Sequence, residues 1–92
     1  MLSVKVLGAG CPKCKALERV AAMALETLVT EKPDVEATLE YVQDVLEIER
    51  YPILFTPALV VNEQVVCAGR VPKKEEILAW YHAALNESHQ PA

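Results

Sequence analysis

Across Gly8-Ala9-Gly10-Cys11-Pro12 the hydrophobic period of the chain changes from that of a strand to that of a helix, and this junction restricts the fold more than any other feature. Leu2 to Leu7 is short and rich in β-branched residues, and reads as a strand. From Cys11 onward Leu17, Val20, Ala21, Ala24, Leu25 and Leu28 recur at helical spacing, with Lys15, Glu18, Arg19 and Glu26 mostly on the other side. Gly8 and Gly10 suit a tight turn with close backbone approach. Pro12 suits the first helical turn, where its missing N–H would have had no intrahelical partner. The chain therefore opens as strand, tight turn and helix, with Cys11 near the N-cap and Cys14 one turn further in.

The helix ends near Lys32-Pro33, and Val35 to Val42 then alternates as a strand with one solvated face. Gln43 to Tyr51 carries Val45, Ile48 and acidic residues at helical intervals and is stopped by Pro52, which predicts a short second helix with a solvated acidic face. Ala58–Val61 and Val65–Ala68 are apolar runs separated by Asn62-Glu63-Gln64, which predicts an antiparallel hairpin. Asn62 accepts a positive φ readily, whereas Glu63 is a poor residue for a tight primed turn and leaves the turn type open. Lys73 to Glu87 resumes the helical period with Ile77, Leu78, Tyr81, Ala84 and Leu85 on one face, and residues 88–92 read as a flexible tail after a single domain over 1–87. The predicted order is β-α-β-α-β-β-α. A right-handed βαβ crossover makes the first two strands parallel neighbours, and the hairpin completes a mixed four-stranded sheet with helices on both faces.

Composition narrows the function. With 92 residues and 52% hydrophobic content the chain buries one core. Nine Lys and Arg against 13 Asp and Glu, a net charge of −4, offer no basic face for nucleic acid or anionic membrane. The N-terminus lacks the basic flank and apolar stretch of a signal peptide, and no segment approaches a membrane span, so the expected location is cytoplasmic. Three cysteines are too few for a secreted disulfide framework. In a reducing compartment, Cys11 and Cys14 therefore form a transient bridge rather than a structural one, and the pair points to chemistry.

The thiolate is the reactive form of cysteine. At the first turn of a helix, Cys11 faces unpaired N–H groups and the positive end of the helix dipole, and Lys13 and Lys15 add positive charge, so its pKa is expected to fall. Cys14 lies deeper, which assigns attack to Cys11 and resolution to Cys14. A metal site is the main alternative. Zinc wants four ligands, yet the two histidines, His82 and His89, lie far along the chain, which leaves a two-thiolate Cu(I) site as the simpler version.

Taken with Phe55-Thr56-Pro57-Ala58-Leu59-Val60-Val61 and Gly69, the Gly-x-Gly-Cys-Pro-x-Cys stretch resembles the small archaeal and bacterial thioredoxin-like proteins called redox-active disulfide proteins, of glutaredoxin size. The likeness runs from Val4 through Leu85. It implies a minimal thioredoxin fold and a cis Pro57 facing the cysteine pair. It also implies that Thr56 offers its backbone to an extended substrate peptide, with Gly69 bordering that surface. The implied function is thiol–disulfide exchange with protein or low-molecular-weight disulfides, reset by an external thiol reductase or reductant, with no cofactor beyond the Cys11–Cys14 disulfide and no metal. A Cu(I) or Zn(II) thiolate carrier and a redox-sensing interaction module are the alternatives. Two departures stand out: Gly10 occupies the place of the Trp found before the first cysteine, and the glutathione contact after the last strand is reduced to Gly69-Arg70-Val71, leaving Arg70 as a candidate for holding a carboxylate.

The remaining residues that could carry chemistry read as structural. Cys67, between Val66 and Ala68, is expected to pack as a small apolar side chain, and Lys5 to be solvated at a strand's edge. Tyr81 matches the apolar face of the last helix, Trp80 lies to one side, and His82 reads as a solvated helix residue.

Overall fold

The computed structural model of the chain describes residues 2–53 and 55–88. Its elements run β1 (Leu2–Leu7), α1 (Pro12–Glu31), β2 (Ala37–Val42), α2 (Val45–Ile48), β3 (Ala58–Val61), β4 (Gln64–Ala68) and α3 (Lys74–Ser88). The four strands form one sheet in the order β2-β1-β3-β4, with β1 parallel to β2 and β3 antiparallel to both β1 and β4. This is the minimal thioredoxin topology.

The period of β1 divides its side chains between two cores. Leu2, Val4 and Val6 join Leu59, Val61 and Cys67 beneath Leu17, Ala21, Ala24 and Leu28 of α1 and Ile77, Tyr81, Ala84 and Leu85 of α3. The two long helices pack on each other and share this face. Tyr81 is fully buried here, and its hydroxyl donates to the Ala21 carbonyl at 3.0 Å, which ties α3 to α1. Burial pushes the Tyr81 phenol well above its ordinary range. Leu7, Val42, Ala58 and Val60 form the smaller core on the opposite face, covered by Ile48, Tyr51 and Ile53. Helices do flank both faces, but the second is covered by a single helical turn and the segment that follows it.

Several boundaries differ from expectation for local reasons. The β1–β2 ladder opens with Leu2 opposite Ala37, and the Val35 N–H turns back to the Lys32 carbonyl, so β2 starts two residues later than the alternation suggests. In the second helix Asp44 caps the Leu46 N–H at 2.9 Å, but after one turn the bonds tighten: Arg50 donates to Glu47 O and Tyr51 to Ile48 O. Pro52 disfavours helical geometry at Tyr51, and the α-helix stops at Ile48. Only Ile48 of its apolar residues packs inward, while Val45 is 59% exposed. Gln64 belongs to β4, Val66 is the extra residue at a bulge, and α3 takes in Ser88. The rest of the expected tail, 89–92, lies outside the described residues.

The hairpin turn is therefore the two residues Asn62 and Glu63, with φ of 50° and 67°. Both sit in the left-handed region, as a type I′ turn requires. Asn62 is secured by its neighbours: its N–H donates to Ser3 O at 2.7 Å, and its Oδ1 accepts from Ser3 N–H at 2.9 Å. Glu63 has no such local reason to adopt positive φ, and its side chain supplies one from a distance. Its carboxylate meets Lys5 Nζ at 2.9 Å and accepts from the Tyr51 hydroxyl at 3.1 Å, while Lys5 also donates to Tyr51 at 3.1 Å. Lys5 is thus on a central strand, one-quarter exposed and paired, rather than solvated at an edge.

The Lys5 ammonium, its hydrogen bond first, holds the Glu63 carboxyl below its ordinary 4.5, and the same bond raises Lys5. A carboxyl lowered on folding contributes stability above its unfolded pKa and loses that contribution as pH falls through the folded value. Glu63→Gln is therefore expected to melt below the wild type at pH 7, with a smaller gap at pH 3. Thermal melts of both proteins at the two pH values check this, and a gap that stays constant with pH would refute it.

Candidate active site

The paired residues Leu7–Ala58, Ala58–Ala68 and Leu7–Val42 form one row across the end of the sheet. The residues just beyond that row, Gly8, Pro57, Gly69 and Gln43, lie together at that end. Here α1 begins. Cys11 is its N-cap, with extended backbone at φ −69° and ψ 162°, and Pro12 occupies the first helical position. Gly10 precedes them at φ +93°, which an L side chain rarely adopts.

Cys11 and Cys14 form a disulfide, with Cα atoms 5.1 Å apart. Their surroundings differ sharply. Cys11 is exposed, whereas Cys14 has no accessible surface. The Cys11 Sγ accepts the Cys14 backbone N–H at 3.2 Å, so one of the helix's orphan donors points at the outer sulfur. Lys13 and Lys15 are exposed in the same turn, which carries no acidic side chain.

Cys14 owes its burial to Gly8. A Cβ placed on Gly8 would lie 2.9 Å from the Cys14 Cβ and would press on its Sγ as well. The strand end must be bare for the helix to start on it.

The Thr56–Pro57 peptide bond is cis, and Pro57 is fully buried while Thr56 is exposed. The Pro57 carbonyl accepts from Gly69 N–H at 2.8 Å, which joins the two loops. Gly69 has φ +83°, and a Cβ there would stand 3.3 Å from the Phe55 Cβ, so Phe55 lies over a position where only glycine fits comfortably. Gly69 and Pro57 are thereby brought to the end of the sheet that carries the disulfide, as are Pro12, Lys13, Lys15 and Thr56.

Three exposed apolar side chains border this end: Val45, Leu46 at 73% and Phe55 at 68%. Their exposure has no local signature in the sequence. Val45 and Leu46 were hidden in a helical pattern that ends after one turn, and Phe55 counted only as part of a motif. Arg70, beyond Gly69, is exposed, and its guanidinium meets both Glu76 carboxylate oxygens, at 3.3 and 2.9 Å.

Cys67 is buried in the larger core, its Sγ 3.9 Å from the Arg70 carbonyl, and it packs as an apolar residue. His82 Nε2 lies 4.0 Å from Glu31 Oε1 on the helical side of the molecule. Among the described residues no group of three or more His, Cys, Asp or Glu gathers in a metal-holding arrangement, and no helix is long and apolar enough to cross a membrane.

A disulfide at a helix N-terminus, one sulfur exposed and one buried, beside a cis proline at the entry to β3, defines a thioredoxin-type redox protein. The comparisons agree: the thioredoxin-domain family matches residues 2–82, and the chain belongs to it. It is 31% identical over 77 residues to a thioredoxin of Methanocaldococcus jannaschii, covering 84% of this chain and 83% of that protein. It is 30% identical over 77 residues to a thioredoxin of Methanothermobacter thermautotrophicus, covering 84% and 94%.

Gly8→Ala tests the close approach. Overpacking at this point is expected to cost about 1–3 kcal/mol of stability in denaturant melts, with Cys14 displaced from the strand end. A variant as stable as the wild type would show that the helix start does not depend on the bare backbone.

Proposed function

We propose that the protein is a thiol–disulfide oxidoreductase in which Cys11 is the attacking thiolate and Cys14 the resolving thiol. The observation that carries this reading is the contrast between them: Cys11 exposed at the helix N-cap, Cys14 wholly buried behind it. The N–H that meets the Cys11 sulfur, the helix dipole and the charges of Lys13 and Lys15 favour the thiolate over the thiol once the bridge is reduced. Pro12 supports this by starting the helix at that sulfur.

In the reaction the Cys11 thiolate attacks one sulfur of a substrate disulfide, forming a mixed disulfide and releasing the first substrate thiolate. The Cys14 thiolate then attacks the Cys11 sulfur, the second substrate thiolate leaves, and the Cys11–Cys14 bridge closes. The dithiol loses two electrons and the substrate gains them. An external thiol reductase or low-molecular-weight reductant in a reducing, cytoplasmic setting returns them.

Protein disulfides are the favoured substrates. An exposed Thr56 beside Pro57 and Gly69 suits an extended peptide laid down as an added strand, and Val45, Leu46 and Phe55 give its apolar side chains something to cover.

Cys11→Ser is expected to reduce insulin disulfides no faster than buffer. Cys14→Ser is expected to lose turnover but to accumulate a mixed disulfide with substrate, seen as added mass that dithiothreitol removes. Full reductase activity in Cys11→Ser, or trapping by Cys11→Ser in place of Cys14→Ser, would overturn the assignment.

A further inference from the structure

β2 is an outer strand of the sheet, and among the described residues no strand pairs with its outward side. The Glu36 and Val42 carbonyls face β1, where they accept from Leu2 and Gly8 N–H at 2.7 and 3.0 Å. Strand alternation therefore turns the N–H and C=O of Ala37, Leu39 and Tyr41 outward. The two faces that flank this edge differ in kind. On the helical side a groove runs between α1 and β2, walled by Ala22, Leu25 and Val29 against Leu39 and Tyr41. Its rim carries both signs, Lys15 and Arg19 against Glu18 and Glu26. On the thin side Glu36, Thr38 and Glu40 are exposed, and among the described residues neither glutamate has an ion pair. Lys5 lies across from Glu40 in the ladder, but its ammonium is engaged by Glu63 and Tyr51.

We propose that this edge is a docking strand for an extended segment of a partner protein in which lysine or arginine alternates with apolar residues. The partner's main chain bonds to Ala37, Leu39 and Tyr41, its apolar side chains enter the groove, and its basic side chains meet Glu36 and Glu40. The two-residue period of a strand sorts the two kinds of side chain onto these two faces. A second copy of the chain is a poor occupant, because antiparallel pairing of β2 with itself sets glutamates opposite or diagonal to glutamates. The charges that keep copies apart thus select a basic partner. The groove reaches Lys15 and Gln43 at the disulfide end of the sheet, so a docked segment leads toward Cys11. It leaves Thr56 and Pro57 uncovered, since they precede β3 on the other side of β1.

The test titrates the isotope-labelled, oxidised protein with three capped heptapeptides and follows its amide signals. One peptide alternates lysine and valine, one alternates glutamate and valine, and one has the composition of the first with its valines grouped together. With the first, the signals of Ala37, Leu39 and Tyr41 are expected to shift and their hydrogen exchange to slow, while those of Thr56 and Gly69 stay in place. The glutamate peptide is expected to bind about tenfold more weakly, the scale of two exposed charge pairs turned to repulsion. The grouped peptide should also bind more weakly, because it cannot keep charge on one face and valine on the other. In the double variant Glu36→Lys with Glu40→Lys, whose fold a thermal melt verifies, the order of the two alternating peptides should reverse. No shift in β2, shifts confined to the Thr56 end, equal binding of the alternating and grouped lysine peptides, or an unreversed preference overturns the proposal. Shifts in β2 that grow with protein concentration alone would give the edge to a second copy and overturn it as well. None of the peptides carries cysteine, so a failure here leaves the oxidoreductase reading untouched.

Discussion

The contact between Cys14 and the bare backbone of Gly8 is the point from which the rest of the site is set out. Because no side chain intervenes, α1 begins directly on the end of the central strand. That start sends Cys14 inward and leaves Cys11 at the N-cap facing out, so one steric allowance separates the two sulfurs into different environments. It also sets the angle at which α1 crosses the sheet. Leu17, Ala21, Ala24 and Leu28 then meet β1 and β3, and the Ala21 carbonyl is offered to Tyr81 of α3. The chemistry and the larger core are fixed by the same junction.

What was legible in the sequence was what depends on near neighbours. The change of period at Gly8–Pro12, the alternation in the strands and the apolar face of α3 are local signals, and they gave the element order and the mixed sheet. The relation of Pro57 to the cysteines came from the resemblance, since no local pattern links residues so far apart. The features without a local signature have distant partners. Lys5 is settled by residues 46 and 58 positions away, and Asn62 meets Ser3 across 59. The collar of Val45, Leu46 and Phe55 has no local signature for a related reason. For Val45 and Leu46, a helical pattern says which residues share a face, but not that the helix will stop after one turn and leave them exposed.

Glu63 shows how a local preference is overridden. Its left-handed backbone is one that a glycine would adopt at less cost, and the sequence alone argues against a tight primed turn there. Its carboxylate, however, reaches a lysine on β1 and a tyrosine from the segment after α2, and so connects the hairpin tip to the central strand and to the thinner face. A residue unfavourable for the turn by propensity is favourable for the fold by its reach.

The unequal covering of the two faces divides the site into a fixed half and a yielding half. The cysteines stand on a twenty-residue helix buttressed by α3, so the sulfurs share the stability of the larger core. The segment leading to Phe55, Thr56 and Pro57 is held down by Ile48, Tyr51, Ile53 and the Lys5–Glu63 tie, a modest set of anchors whose release costs less than global unfolding. The two sulfurs are therefore tied to the deeper core and the loop of Thr56 and Pro57 to the shallower one, so a loss of packing on the thin face falls on that loop before it reaches the disulfide.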